Sequence, residues 1–510
     1  MWSIMLRAID YLAGKFTMYR LVMYYLLALI LAAVGLSIFG SLHFKPLYII
    51  ISTLILVIAC WTVNKIFARV FRAPENSESS VITGLILALI ITPNPTGFGI
   101  TFLLAAAGLA MASKYTLTIK KKHIFNPAAI AVVLTALGPR QSASWWVGAA
   151  AMLPFVLVGG VLLARKIQRG RMVLTFFLSA AAATVVFSVI SHASVAASLH
   201  NLLLGSPLFF LGFVMLTEPL TSPPAAKGQT WYAAMVGVLL PPQVHLLSLY
   251  STPELALVAG NLFSYLISPK IKLFPVLKEK LKIANDTADF VFSINSKFTY
   301  QPGQYMEWTL PHDHSDSRGN RRYFTLASSP TEPDLRIGVK FYEKGSSFKE
   351  ALIDMDKNTP VVASQIAGDF ILPKRTNQKV VFIAGGIGIT HFRSMAKYLI
   401  DKQESRPITL LYSAKTANDI AYKEIFEQAR RSIGLNTIYV LTNDKNEASQ
   451  PNARSGRISK ELINETVPDY KERVFYISGT QPMVNDVRAL LTSIGVQRHQ
   501  IKVDFFPGYS

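Results

Sequence analysis

The stretch VVFIAGGIGITHFRSM, Val380 to Met395, decides how this chain is read. Five apolar residues, Val380 to Ala384, end in Gly385, Gly386, Ile387, Gly388, Ile389 and Thr390, and a helical pattern follows. That order predicts a strand, a glycine turn and a helix. Glycines let the backbone turn tightly and approach a ligand with no Cβ in the way. The free N–H groups at the helix start then face an anion, favoured by the helix dipole. The expected anion is the pyrophosphate of a nicotinamide nucleotide. A glycine turn between strand and helix can also serve packing alone, so its partners along the chain carry weight.

The chain has 510 residues, long enough for two or more domains. It is 51% hydrophobic and 16% charged, with a mean hydropathy of +0.33. Those values point to a membrane protein with a soluble portion. Residues 1–272 carry 19 Lys/Arg against 5 Asp/Glu, whereas residues 273–510 carry 32 against 26. The basic excess lies mostly in short loops between apolar spans, which favours a membrane surface over nucleic acid as its cause. Cys60 is the one cysteine. A disulfide framework and a four-cysteine iron–sulfur cluster are therefore excluded for this chain. No residue group suggests a metal site, and residues 1–20 lack the compact apolar core of a cleavable signal.

About ten apolar segments precede residue 270. They lie near 19–40, 46–63, 80–93, 97–113, 124–138, 145–164, 172–190, 203–217, 230–248 and 252–268. The third, fifth and eighth are short, the mark of broken helices lining an internal site. One set of loops collects Lys65, Arg69 and Arg72, then Lys114 and Lys120 to Lys122, then Arg165, Lys166, Arg169 and Arg171. The opposite set holds only Lys45 and Arg140. The positive-inside rule then places both termini in the cytoplasm. A faint internal repeat pairs Thr92–Pro93 with Thr217–Glu218–Pro219, and Asn126–Pro127 with Asn261. Five spans separate the paired elements, so the halves would be inverted. Glu218 is almost the only acid in this region and is a candidate functional residue, with a helix-end role as the alternative.

Near Pro269 to Pro275 the apolar pattern stops, and a short basic linker, KIKLFPVLKEK, leads on. Residues 276–375 are expected to form a small antiparallel barrel, with strands at Asp289–Ile294, Gln304–Leu310, Tyr323–Ala327 and Arg336–Tyr342. In residues 378–510, apolar runs at Val380–Ala384, Ile408–Tyr412, Thr437–Leu441 and Val474–Ser478 alternate with helical stretches. That alternation indicates a doubly wound α/β domain with a parallel sheet.

RRYFTLASSP, Arg321 to Pro330, falls in the barrel. A strand Arg suits a diphosphate, an aromatic two residues on can cover a flavin ring, and the next hydroxyl can bond a flavin nitrogen. KGSSFKEAL, Lys344 to Leu352, sets small hydroxyls before a helical stretch, a second anion-receiving helix start. LLYSAK, Leu410 to Lys415, and YISGTQPMV, Tyr476 to Val484, follow the glycine turn.

Two resemblances rest on these motifs. SSVITGLILALIITP (Ser79 to Pro93), KHIFNPAAIAVVL (Lys122 to Leu134) and FFLGFVMLTEPLTSPP (Phe209 to Pro224) resemble the B subunit of the sodium-translocating NADH:quinone reductase and the D subunit of the Rnf electron-transport complex. This resemblance spans about residues 20–268 and implies flavin-mediated electron transfer in or across the membrane. Those subunits carry flavin mononucleotide esterified in a Ser-Gly-Ala-Thr motif. The motif is missing here, so noncovalent FMN or riboflavin is expected. Glu218 stands where those subunits usually have Asp.

The order of motifs from 280 to 510 is similar to the ferredoxin–NADP reductase superfamily. It implies FAD on the barrel and a nicotinamide nucleotide on the sheet domain. Carried over by motif, Arg322, Phe324 and Thr325 would hold FAD, with Tyr323 beside them. Gly345, Ser346 and Ser347 would hold its diphosphate. Gly386, Gly388 and Thr390 would meet the nicotinamide nucleotide, and Gly479, Pro482 and Met483 would line the nicotinamide side. Thr325 and Ser478 would be the catalytic contacts for hydride transfer. His391 replaces the usual Pro, and Ser478 replaces the Cys often found before Gly479.

Together these imply a membrane-bound oxidoreductase passing electrons from NAD(P)H through FAD to a flavin, a quinone or a partner redox protein. The alternatives are a transporter with a regulatory or reductase domain, and a subunit of an ion-translocating complex. Asp444 argues for NADH over NADPH, since it would repel a 2′-phosphate, while Lys415 and Lys445 argue the other way.

Overall fold

The computed structural model describes residues 17–71, 77–119, 122–138, 141–246, 249–268, 272–295, 298–312, 316, 319–343, 345–443 and 452–506. The chain divides into two units, Met1–Lys272 and Leu273–Ser510.

The first unit is helical. Its helices are α1 (Met18–Ile38), α2 (Pro46–Val70), α3 (Ser77–Ile90), α4 (Phe98–Thr116), α5 (Pro127–Leu137), α6 (Leu153–Lys166), α7 (Gly170–Ile190), α8 (Val195–Leu204), α9 (Leu208–Met215), α10 (Ala226–Leu239) and α11 (Pro253–Ile267). Each expected apolar segment holds a helix. Among the described residues, however, only α1, α2, α4 and α7 are long and apolar enough to cross a membrane alone. The bent pair α8 and α9, which turns by 57°, makes a fifth if it is one span. Helix length among the described residues thus supports four or five crossings, where the sequence led to an expectation of about ten spans, three of them short. The short helices have local causes. Asn126 caps α5 from its side chain, and Pro127 occupies the first turn, where its missing N–H costs nothing. Residues Leu211–Met215 of α9 are wound as a π-helix, a form that often marks a functional place.

The second unit opens with two antiparallel sheets. Its strands and one helix are β1 (Val276–Ala284), β2 (Thr287–Ser293), β3 (Tyr305–Thr309), β4 (Arg321–Thr325), β5 (Leu335–Lys340), α12 (Ser347–Asp354) and β6 (Val362–Ala367). One sheet has the order β5–β2–β1, and the other runs from a short Lys272–Leu273 strand through β6 and β3 to β4. The expected single barrel is thus two sheets by hydrogen bonding among the described residues. The basic linker is also shorter than expected, because β1 begins at Val276. Lys278, Lys280 and Lys282 are exposed along β1, a sheet-edge strand whose charges hide its alternation.

The rest is a parallel α/β layer. It contains β7 (Val380–Gly385), α13 (Ile389–Asp401), β8 (Ile408–Ala414), α14 (Lys423–Ile433), β9 (Asn436–Leu441), β10 (Ala453–Ser455), α15 (Lys460–Thr466), β11 (Val474–Thr480), α16 (Gln481–Ser493) and β12 (Ile501–Phe506). The sheet order is β10–β9–β8–β7–β11–β12, all pairs parallel. Strand residues alternate between two cores. Phe382, Leu410 and Tyr412 pack with α13 and α14, while Val381, Ile383, Leu411 and Phe475 pack with α15 and α16. The strand order reverses beside β7, so the ends of β7 and β11 flank a topological switch point. Ligands of such sheets bind outside the strand ends there.

Candidate functional site at the sheet switch point

The glycine turn leaves β7 with Gly386 at φ +53°, the left-handed region, and with nothing near where a Cβ would lie. Thr390 is buried, and its Oγ1 donates to the Ile387 carbonyl at 3.1 Å. This places the N-terminus of α13 at the mouth of the turn. Met483 of α16 lies over both Gly385 and Gly479, whose missing side chains make room for it. Pro482 sits in the first turn of α16. The turns after β7 and β11 are therefore packed side by side.

The antiparallel sheets contribute through β4. Arg322 is 8% exposed; its Nη1 donates to the carbonyls of Gly319 (3.1 Å) and Arg321 (2.6 Å), and its guanidinium lies 5.2 Å from the Phe348 ring centroid. Phe324 packs on the same ring, at 5.9 Å between centroids. Tyr323 is exposed, and its hydroxyl donates to Glu307 Oε2 at 3.0 Å. Ser346 is the N-cap of α12. The Ser347 N–H donates to Asp316 Oδ2 at 3.0 Å, and Ser347 Oγ accepts from the Asp316 N–H at 2.9 Å. A carboxylate thus stands at the start of α12 where an anion was expected. Gly345 precedes that cap, and Lys344 lies outside the described residues.

Four buried or half-buried groups meet at the centre. Thr325, at the end of β4, is 4% exposed, and its Oγ1 is 3.2 Å from His391 Nε2. Ser478, near the end of β11, is fully buried, and its Oγ is 3.3 Å from His391 Nδ1. His391 Nε2 is 2.7 Å from Asp504 Oδ2 on β12. The structure therefore brings the two expected catalytic hydroxyls onto one imidazole. Sequence reasoning noted His391 only as a departure from Pro, and passed over Asp504. An acid close to the chain end, in DFFPGYS, was the available signal.

A second polar group joins the parallel layer to the antiparallel sheets. The Arg393 guanidinium forks onto the Glu332 carboxylate and donates to the Ala327 carbonyl at 2.9 Å. Asp289, fully buried, accepts from Arg336 (2.9 Å) and from the Tyr422 hydroxyl (2.9 Å). Burial pushes the Asp289 carboxyl up from its ordinary range, although Arg336 and Tyr422 pull the other way.

The helical unit has its own polar cluster. Glu218 Oε2 accepts from Asn126 Nδ2 at 2.9 Å and from Thr221 Oγ1 at 3.0 Å. Asn261 Oδ1 accepts from the Asn126 N–H at 2.8 Å, and Asn261 Nδ2 donates to the Tyr232 hydroxyl at 3.1 Å. Three residues of the suggested repeat, Asn126, Asn261 and Glu218, thus meet, whereas Thr92 lies outside these contacts. Beside them is a cleft lined by Ser79, Thr83, Asn126 and Thr217 and by the apolar Ile86 and Val214. Glu218→Ala would leave the Asn126 amide without this acceptor. It is expected to destabilise the unit by about 2 kcal/mol, read as a lower melting temperature in detergent. Glu218→Gln keeps an accepting oxygen and is expected to melt near wild type.

Comparison with known proteins agrees with this division. Residues 141–272 match the model of the NQR2, RnfD, RnfE family, and residues 382–489 match that of the oxidoreductase NAD-binding domain. A flavohemoprotein of Bacillus thuringiensis subsp. konkukian is 28% identical over 217 residues, covering 41% of this chain and 53% of that protein. The glycine betaine monooxygenase reductase subunit of Chromohalobacter salexigens is 26% identical over 200 residues, covering 39% and 54%. The chain spans about half the length of these curated relatives. Among solved structures, the flavohem-like FAD/NAD-binding domain of a Vibrio cholerae nitric oxide dioxygenase is similar at 23% identity and a TM-score of 0.41, covering 46% of this chain and 98% of that one. An NQR2, RnfD, RnfE family region and an oxidoreductase NAD-binding domain are thus joined in one chain.

Proposed function

We propose that this chain is a membrane flavoprotein oxidoreductase that takes electrons from NAD(P)H through FAD to a carrier in or across the membrane. The observation that carries the reading is the meeting of Thr325 from β4 and Ser478 from β11 on His391 at the switch point, where His391 and Ser478 belong to the region matching an NAD-binding domain. In this reading residues 1–270 are the electron-transfer domain, 276–375 the FAD domain and 378–510 the NAD(P) domain. The helical domain is multi-pass in the cytoplasmic membrane with both termini in the cytoplasm.

The residues present suit the two nucleotides. Arg322 and the serine-capped start of α12 offer cation and N–H donors for a diphosphate, a reading supported by the Asp316 carboxylate that accepts the Ser347 N–H there. Gly386 leaves the start of α13 open to a second diphosphate, with Thr390 in its first turn, while Gly388 lets that turn approach the β11 backbone. Gly479, Pro482 and Met483 border the nicotinamide side. FAD, when bound, supplies the exchange between a two-electron hydride and single electrons. Thr325 and Ser478 orient the reacting rings, and burial at the switch point keeps water from them.

In the helical domain, the amide, hydroxyl and carboxylate edge of the cleft, with its apolar wall, suits a planar ring with polar edges. A noncovalent FMN or riboflavin there, with a quinone or partner protein as the next acceptor, completes the route. NADH is the preferred donor in this reading. Residues 444–446, on which that preference turns, lie outside the described residues.

The test is a flavin spectrum of the purified chain. NADH should bleach it, acid should release all flavin, and Arg322→Ala should lower FAD affinity about 30-fold, the loss of about 2 kcal/mol of charge-assisted bonding. Full FAD occupancy at limiting FAD in that variant would sink the site, and flavin left on the denatured chain would sink the noncovalent reading.

A further inference from the structure

We propose that His391, anchored by Asp504, is a positioning residue that sets which way the hydroxyls of Thr325 and Ser478 point their hydrogens. The inference rests on the proposed FAD and nicotinamide chemistry at this site, and it assigns a role to a residue that the motif reading treated only as a substitution for Pro.

The imidazole is fully buried and packs edge-on against Phe370, at 4.9 Å between ring centroids. A buried ring held on every side has few orientations open to it. Its nearest charged neighbour is the Asp504 carboxylate on β12, 2.7 Å from Nε2. From β4 it meets the Thr325 hydroxyl, from β11 the Ser478 hydroxyl, and from the segment after β6 the Phe370 ring. A carboxylate oxygen at 2.7 Å requires a hydrogen on Nε2. The hydrogen bond made by one ring nitrogen thus decides the role of the other.

The consequences for the two hydroxyls differ. Nε2–H also faces Thr325 Oγ1 at 3.2 Å, so Thr325 receives and its own hydrogen is free to point into the site. In the neutral ring Nδ1 has only a lone pair, so Ser478 donates to it at 3.3 Å and turns its lone pairs to the site. One hydroxyl is then presented as a donor and the other as an acceptor. Loss of the Asp504 carboxylate would let the ring take the other tautomer, which exchanges those roles. Proline at position 391 would suit the helix start but orient neither hydroxyl.

The test uses the full-length chain in detergent, loaded with FAD and mixed rapidly with NADH, in wild type, His391→Gln, His391→Pro, Asp504→Asn and the His391→Gln/Asp504→Asn double variant. With FAD content unchanged, His391→Gln is expected to slow the limiting rate of bleaching about 10-fold to 100-fold, the scale of small misplacements in a reacting site. The NADH concentration for half the limiting rate should stay within about twofold, since the nucleotide contacts are untouched. Without NADH, the visible band of bound FAD should shift in His391→Gln and in Asp504→Asn alike. The double variant should be no slower than His391→Gln, because the two residues act as one unit. If His391→Gln fails to hold FAD, His391→Pro decides in its place, a slow rate supporting the role and a wild-type rate overturning it. A wild-type rate and band in His391→Gln, or effects that multiply in the double variant, would also overturn it. A wild type that binds FAD but is not bleached by NADH would instead remove the proposed function, while the band shifts would still report on His391.

Discussion

Arg393→Met is expected to lower the melting temperature of the C-terminal unit by about 10 °C, and to do so before any effect on nucleotide contacts. Arg393 belongs to α13, but its partners belong to the loop between β4 and β5: the Glu332 carboxylate and the Ala327 carbonyl. It is 4% exposed, and its charge is compensated by that carboxylate and by the Tyr422 ring beside it. Glu332 also accepts from the Ser329 N–H at 2.6 Å, so the acid organises the loop that follows β4. Ser394 Oγ adds a bond to the Ser328 carbonyl at 2.6 Å. Removing one partner of a buried pair costs about 3–5 kcal/mol, because the other charge is left behind. At about 2–4 °C per kcal/mol for a unit of this size, the shift is about 10 °C. Limited proteolysis at rising temperature reads it in the full-length chain. The double variant Arg393→Met/Glu332→Leu removes both charges and should recover most of the loss, since apolar replacement of a buried pair is often neutral. A single variant that melts like wild type would show that the pair does not hold the barrel to the sheet.

That joint was not legible in the sequence, and the reason is physical. Arg393 and Glu332 are 61 residues apart, and each alone reads as an ordinary surface charge. The parallel sheet was legible because its strands are buried on both faces and appear as unbroken apolar runs, Val380–Ala384 and Val474–Ser478 among them. Edge strands escaped for the opposite reason: β1 carries exposed lysines, β10 has three residues, and β12 mixes Lys502 and Asp504 with apolar neighbours. In the helical unit, hydropathy missed α8 and overstated the lengths of α5, α6 and α10, because a short buried helix and a spanning one share the same composition. The glycine turn, Arg322, Thr325 and Ser478 could be placed from motif order. The bond from Thr325 and Ser478 to one imidazole could not, since it depends on β4, β11 and β12 converging on α13.

Gly388→Ala should slow bleaching by NADH about 100-fold while leaving FAD bound, and the reason lies in what the new methyl group would meet. A Cβ at Gly388 falls on the backbone of Ser478, closer to its carbonyl than van der Waals contact permits, and 2.7 Å from the Gly479 nitrogen. These are main-chain atoms of β11, a strand paired on both sides by β7 and β12, so they have little freedom to withdraw. Overpacking of this kind costs about 1–3 kcal/mol, and the rigid neighbour argues for the upper end. Whatever movement relieves the clash shifts Ser478, and with it the contact to His391 Nδ1. A shift near 1 Å in a reacting site can cost about 100-fold in rate. Gly386→Ala is the control two residues away. Nothing lies near its Cβ, and its cost is the left-handed backbone at φ +53°, about 1–2 kcal/mol. It should therefore destabilise less and retain measurable bleaching. Rapid mixing of each FAD-loaded variant with NADH distinguishes them. Equal rates in the two variants would mean that close approach of the β7 turn to β11 does not set the hydride-transfer geometry.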